Sequence, residues 1–225
     1  MSRRVALLWD VDGTLLTTAR AGVFSLEDAL ERVSGVRAEL QGMATAGMTD
    51  YAIAETALRE VGHEADEAAV LELLRVHGEQ LPDYLDRREG SVMPGVREVL
   101  EDLDGHDEVV NLLLTGNVEA GAYAKLRHYG LDGFFRSGGA FCVGAGGRDA
   151  IARRALGLAN GASAYVIGDT PADVACARGI GVPAIAVATG SYTTGQLAEH
   201  EPWRLLERLP EPAGFRVLIG LPERG

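Results

Sequence analysis

Asp10 and Asp12 stand two residues apart, directly after the apolar run Val5-Ala6-Leu7-Leu8-Trp9. Such a run reads as a strand buried on both faces. Side chains alternate along a strand, so positions 10 and 12 point the same way and set two carboxylates side by side at its carboxyl end. At about 4 Å and an effective dielectric near 20, two such charges repel by about 4 kcal/mol. That cost asks for a cation, a shared proton or a role in acid–base chemistry. Gly13 lets the chain turn sharply away from the sheet.

Two more strand ends carry chemistry. Leu114-Thr115-Gly116-Asn117 closes a second apolar run with a hydroxyl, a glycine and an amide before a helical pattern. Backbone N–H groups at a helix start favour anions, although plain N-capping by Thr115 or Asn117 explains the same residues. Gly168-Asp169-Thr170-Pro171-Ala172-Asp173 closes another run. Thr170 and Asp173 fit a capping box with Pro171 at the first helical position. Capping does not explain Asp169. Three strand-end carboxylates, Asp10, Asp12 and Asp169, converging on one rim suit a hard divalent cation such as Mg²⁺, which takes oxygen ligands and bridges to substrate phosphate.

The elements that must position these residues alternate. Apolar runs at 109–114, 164–168 and 182–187 are separated by amphipathic stretches near 94–104, 118–129, 148–158 and 171–179. Pro94 and Pro171 sit where first helical turns begin, and Gly130 and Gly179 where helices end. This alternation predicts an α/β fold, a doubly wound parallel sheet with helices on both faces and ligands at the carboxyl ends of its strands. Residues 17–90 break the pattern, with helices predicted near 20–34, 49–62 and 65–87. They read as a cap domain inserted after the first strand, with 1–16 and 91–225 as the core. In the tail, Trp203–Leu209 looks helical and Phe215–Leu221 could be an edge strand.

Asp10-Val11-Asp12-Gly13-Thr14-Leu15, Thr115-Gly116-Asn117 and Gly168-Asp169-Thr170-Pro171-Ala172-Asp173 together resemble motifs I, II and IV of the haloacid dehalogenase (HAD) superfamily, in order and in spacing. The resemblance spans nearly all of 5–190 and is nearest to the phosphoglycolate phosphatase-like branch with a helical C1 cap. Gly47-Met48-Thr49-Asp50 resembles the Gly-x-Thr-Asp of caps in that branch, while Thr49 as a helix N-cap explains it equally. The resemblance implies a Rossmann-like HAD core and an Mg²⁺-dependent phosphatase acting on a small phosphorylated metabolite. It implies Asp10 as nucleophile, forming an aspartyl-phosphate, and Asp12 as acid and then base. It implies Mg²⁺ on Asp10, the backbone carbonyl of Asp12 and Asp169, with Asp173 in support. Thr115, Gly116 and Asn117 would bind the phosphoryl oxygens.

One position departs from the family pattern, which places a basic residue, usually Lys, between motifs II and IV. No lysine occupies that stretch except Lys125 on the helix after motif II, the only lysine in the chain. Arg148 stands at the start of the helix before motif IV and is the preferred phosphate-facing cation, with Lys125 as the other candidate. Asp12 argues against a dehalogenase, and a cap without lysine against a phosphonatase. A phosphoglucomutase-like transfer within a sugar phosphate and a non-catalytic metal- or partner-binding module are the alternatives. An acid-bearing substrate would want a cap cation, for which Arg20, Arg37, Arg59, Arg75, Arg87 and Arg88 all qualify.

Composition bounds the partners. The 225 residues carry a net charge of −12 and 47% hydrophobic content. That argues against nucleic acid and anionic membrane as main partners but not against a small phosphorylated ligand. No segment approaches the roughly 20 apolar residues of a membrane span, and Arg3-Arg4 before a short apolar run does not make a signal peptide. Cys142 and Cys176 match no metal spacing and read as buried residues of a reducing cytosol. The five histidines read as surface or packing residues. Trp9 is expected under the cap, Trp203 as an anchor of the tail. A monomer or homodimer in the cytoplasm is expected.

Overall fold

The computed structural model describes residues 4–221. Arg3, part of the signal-peptide argument, and the last four residues of the core range lie outside the described residues. Strands β1 (Val5–Trp9), β4 (Val109–Leu114), β5 (Gly139–Ala140), β6 (Ser163–Gly168), β7 (Ala184–Val187) and β8 (Arg204–Leu206) form a six-stranded sheet in the order β5-β4-β1-β6-β7-β8. Every pairing in it is parallel. The fold is therefore the α/β, Rossmann-like architecture read from the alternation of runs.

β1 lies at the centre, and all five of its residues are buried. Ala6 and Leu8 enter the apolar cluster on one face, while Val5, Leu7 and Trp9 enter the cluster on the other. The chain passes from β1 to β4 and β5 on one side and to β6, β7 and β8 on the other. The strand order thus reverses at β1, and such a point opens a crevice at the carboxyl ends of the strands.

Helices α4 (Val96–Leu103), α5 (Glu119–His128), α6 (Arg148–Leu158) and α7 (Pro171–Ile180) connect these strands. In α4 the buried residues Val96, Val99, Leu100 and Leu103 trace the three- and four-residue steps of an amphipathic helix. Pro94 lies before that helix rather than in its first turn, because Gly95, at φ 83°, takes the N-cap. Pro171 does open α7. Gly181, not Gly179, closes α7 in the left-handed conformation, at φ 72°.

Between β1 and β4 the chain forms α1 (Ala21–Ser34), α2 (Asp50–Glu60) and α3 (Glu67–Asp86), preceded and followed by the two-residue strands β2 (Leu16–Thr17) and β3 (Ser91–Val92). β2 and β3 pair antiparallel, so the chain enters and leaves this helical segment at one place.

The tail reverses both expectations. Arg204–Leu206 within the apparently helical stretch is β8, because the edge of β7 offers backbone partners and Arg204 pairs with Ile185 in register. A three-residue strand is set by that tertiary edge, not by periodicity. Phe215–Leu221 is not a strand, since Pro212 opens α9 (Pro212–Leu218) at the first helical position. Phe215 is fully buried and stacks on Trp9 at 5.8 Å between ring centroids. Trp9 therefore packs against α9 rather than under the helical segment. Trp203 packs on Tyr165 at 5.6 Å, and Cys142 and Cys176 are buried without a disulfide.

Candidate active site

Register builds the site. Trp9 is level with Leu113 and with Ile167. One residue further on, Asp10 is level with Leu114 and Gly168, and Thr115 and Asp169 follow. The ends of the three central strands thus deliver their polar residues to a single crevice.

The structure brings Asp10, Asp169 and Asp173 together. Each offers a carboxylate oxygen within 4.8 Å of the others, and the three are 5%, 2% and 1% exposed. Burial, with the Asp173 charge next in importance, holds the Asp10 carboxyl well above the usual carboxylate range, while Arg148 pulls the other way. Burial and Asp173 together push Asp169 up to about 7. Thr14 donates to Asp169 at 3.0 Å. The cluster makes room for its carboxylates with glycines. A Cβ on Gly190 would lie 1.8 Å from Asp169 Oδ2, and one on Gly13, at φ 86°, would lie 2.4 Å from it. Three buried hard-oxygen donors that repel one another fit a divalent cation.

Asp12 does not join this cluster with its side chain. Lys125 Nζ donates to Asp12 Oδ2 at 2.6 Å and to Asn117 Oδ1 at 2.6 Å, and Asn117 Nδ2 donates to Asp12 Oδ2 at 2.8 Å. The two carboxylates after β1 are therefore not a mutually repelling couple with one shared cation. Among the charges that raise Asp10, Asp12 is the weakest. The strand ends at Trp9, so the two-residue alternation stops before it reaches Asp12.

The cation question divides in the same way. Arg148 Nη2 donates to Asp173 Oδ1 at 2.6 Å and to Asp10 Oδ1 at 3.3 Å, and its Nε is buried without a partner among the described residues. Arg148 serves the Asp10 side and Lys125 the Asp12 side. Burial opposes the charge on Lys125, but Asp12 and Asp50 outweigh it and raise its pKa.

Thr115 is fully buried, and its hydroxyl accepts from Asn117 N at 3.2 Å and Asn117 Nδ2 at 2.8 Å. Both lone pairs are occupied, so the hydroxyl proton is left to donate. Neither Thr115 nor Asn117 caps α5. Val118 is the N-cap residue, and its N–H donates at 2.8 Å to Asp50 Oδ2. Asp50 N donates to the Gly116 carbonyl at 2.8 Å, and a Cβ on Gly116 would lie 2.4 Å from the Met48 carbonyl oxygen. Segment 47–50 thus rests directly on the Thr115-Gly116-Asn117 turn. Thr49 caps α2, accepting from Ala52 N at 3.2 Å. Thr170 and Asp173 form the expected capping box, so Asp173 both caps α7 and faces Arg148.

These residues floor a cavity of about 930 Å³, roofed by α1, α2, α3 and the loop at 41–48. His77 and the Thr189-Gly190-Ser191-Tyr192 turn were not singled out from sequence for this site, yet they line it, as do Asp50 of the Gly47-Met48-Thr49-Asp50 segment and Arg20. The turn had a readable signal, a hydroxyl and a glycine just after an apolar run, as at Thr115-Gly116. Arg20 stood among six candidate cap cations, and the other five do not line the cavity.

The haloacid dehalogenase-like hydrolase family matches residues 7–178, and the HAD-hydrolase-like family matches residues 148–212. The probable phosphatase IndB of Dickeya dadantii is 31% identical over 92% of this chain and 91% of its own. A protein described as a predicted phosphoglycolate phosphatase from Haemophilus somnus has a solved structure of the same fold, at TM-score 0.66 and 18% identity over 96% of this chain and 97% of that one. The CbbY protein of Rhodobacter sphaeroides, solved in complex with phosphate, is similar at TM-score 0.68 and 20% identity over 92% and 95%. Among the described residues no helix is long and apolar enough to cross a membrane. With its three central strand ends, its buried carboxylates and these relatives, the chain belongs to the haloacid dehalogenase-like hydrolase family and is an enzyme of the phosphatase kind.

Proposed function

We propose that this enzyme is an Mg²⁺-dependent, cytoplasmic phosphatase that hydrolyses a small phosphomonoester, of the phosphoglycolate kind, through an aspartyl-phosphate on Asp10. The observation that carries the reading is the buried set Asp10, Asp169 and Asp173 beside the Thr115 hydroxyl, whose proton is free to donate. Asp10, the Asp12 carbonyl and Asp169 would hold the cation, with Asp173 in support. The bound ion supplies positive charge that lets an anionic nucleophile and an anionic phosphate approach.

The residues of the chain do the rest. Asp10 attacks phosphorus, and the ester oxygen leaves with a proton from Asp12. Asp12, once deprotonated, takes a proton from the water that then attacks the acyl phosphate, and Asp10 is regenerated. Lys125 and Asn117 hold the Asp12 carboxylate in place through their hydrogen bonds. Thr115 and the amide of Gly116 would receive the phosphoryl oxygens, joined by the Asn117 amide once its N–H turns from the Thr115 hydroxyl, and Arg148 adds a buried positive charge. Helices α1–α3 act as a cap that excludes water and contacts the leaving alcohol.

The test is phosphate release from p-nitrophenyl phosphate. Turnover should require Mg²⁺ and disappear in Asp10→Asn. No turnover of a broad phosphate-ester panel by the Mg²⁺-loaded wild type would sink the reading.

A further inference from the structure

Charge is distributed unevenly over the wall of the cavity. Its floor holds Asp10, Asp12 and Asp169 with two cations, Lys125 and Arg148, and both cations are engaged by carboxylates. The roof is different. Val23, Leu26, Met43, Ile53 and Leu74 give it an apolar surface. Its one carboxylate, Asp50, is occupied by the Val118 N–H. Among the described residues, Arg20 is the one cation on this roof.

Arg20 also lacks a counterion. Its Nη2 donates to the Gln41 carbonyl at 2.5 Å, and among the described residues no carboxylate pairs with it. Elsewhere on the helical segment, Arg59 pairs with Glu55 and Arg75 with Glu72 and Glu79. The backbone of Arg20 is fixed as well. Ala19 and Arg20 take φ of 48° and 66°, a left-handed conformation that costs non-glycine residues roughly 1–2 kcal/mol each. They hold it at the junction where the chain turns from β2 into α1.

Arg20 is exposed at the edge of this roof, so an alcohol that fills the cavity meets its guanidinium on the solvent-facing side. A neutral alcohol offers the guanidinium no charged partner. An alcohol with its own anion gives the guanidinium a charge-assisted, potentially bidentate partner. Resting on the phosphatase reading, we infer that Arg20 is a specificity-determining residue. It binds an anionic group, a carboxylate or a second phosphate, carried by the leaving alcohol. The substrate is then a phosphomonoester with two anionic ends, the phosphoryl end at Thr115 and Asp10 and the other at Arg20.

The experiment uses Mg²⁺-loaded wild type, Arg20→Gln and Arg20→Lys on four esters. These are p-nitrophenyl phosphate, a neutral alkyl phosphate, its ω-carboxylated counterpart and the matching bisphosphate. Wild type should favour one of the two-anion esters over the neutral one by about tenfold or more in kcat/KM. Whichever is favoured identifies the anion. Arg20→Gln should raise KM for that ester about tenfold and leave kcat and the neutral ester within about twofold, with Arg20→Lys in between. Equal losses on all four esters in both variants, or no preference in wild type, would overturn the inference. Failure of wild type to hydrolyse even p-nitrophenyl phosphate would overturn the phosphatase reading instead.

Discussion

Lys125 Nζ lies 2.6 Å from Asp12 Oδ2, so the only lysine of the chain ties helix α5 to the turn that follows β1. The ammonium is almost fully buried, with 8% of its side chain exposed, while 44% of the Asp12 side chain faces the cavity. Asp12 is thereby held on one side of the crevice and Asp10 on the other. In the mechanism proposed above, Asp12 gives a proton while Asp10 attacks, and that separation would let each reach a different atom of the same phosphate ester.

Lys125→Met should therefore reduce kcat by about tenfold or more, since Asp12 loses its positioning partner. It should also cost about 1–3 kcal/mol of stability, because Asn117 Oδ1 loses its donor. Arg148→Ala should instead weaken binding of phosphate or vanadate, the cation having been removed from beside Asp10. Steady-state kinetics and isothermal titration on the two variants separate these effects. If Lys125→Met weakens vanadate binding more than Arg148→Ala does, the division of labour between the two cations is wrong.

Asp169 shows the cost of the carboxylate cluster. Its folded pKa of about 7 exceeds the unfolded value of 3.8. The folded protein holds this proton more tightly, so without metal its contribution to stability falls as pH rises from about 4 to 7. Asp169→Asn should accordingly be more stable than wild type at pH 7.5 in EDTA. Mg²⁺ at 100 times its Kd should stabilise the wild type by about 2.7 kcal/mol, read as a higher melting temperature, and should not shift Asp169→Asn. A variant that responds to Mg²⁺ as wild type does would remove Asp169 from the metal site.

Asp50 joins α2 to the amide that opens α5, and burial above all pushes its carboxyl up to about 6. The unfolded value is 3.8, so the folded state again holds the extra proton. Stability from this group is present below about pH 4 and lost as pH rises to about 6. An asparagine can still accept from Val118, which makes Asp50→Asn a fair comparison. Its stability relative to wild type should increase by about 3 kcal/mol between pH 4 and pH 7. Urea denaturation across that range checks the slope, and a difference independent of pH contradicts it.

Gly190 has no room for a side chain on the Asp169 face. Gly190→Ala should push the carboxylate off its position and weaken Mg²⁺ activation by about 10–100-fold, as loss of a supporting contact does at metal sites. The fold should survive, since Gly190 lies in a loop beyond β7 and not within a strand. The Mg²⁺ concentration for half-maximal activity is the readout. An unchanged value would mean that Asp169 has another place to go.

The core strands were legible because burial on both faces leaves continuous apolar runs, as in Val5–Trp9 and Ala164–Ile167. α4 to α7 were legible from period, and α7 also from its Thr170–Asp173 capping box and Pro171. β8 was not, since a three-residue strand such as Arg204–Leu206 exists only through its neighbour β7. α9 could have been read from Pro212 and from the four-residue step between Phe215 and Ile219, both buried. In the site, the strand-end residues were legible because each sits where a run stops. His77 was not, and Arg20 could not be told from five other arginines, nor Asp50 from a residue beside a plain helix cap, because they arrive from the roof, where only tertiary packing decides which polar groups face the cavity. His77 is the extreme case. It is buried with its Nδ1 unpartnered among the described residues, and burial lowers its pKa to about 4.

The pairing of Leu16 with Val92 and Thr17 with Ser91 has one more consequence. Because outgoing and returning chain are already side by side, exchanging the segment between them leaves the strand connections in place, while its apolar face on Leu8 and Leu114 and the Asp50 contacts to Gly116 and Val118 must be replaced. Excising the intervening stretch and closing the gap with a tight hairpin should leave a folded remnant. The same junction is a ready graft point, where a helical segment from another protein could be spliced in to redirect the same chemistry toward a different alcohol.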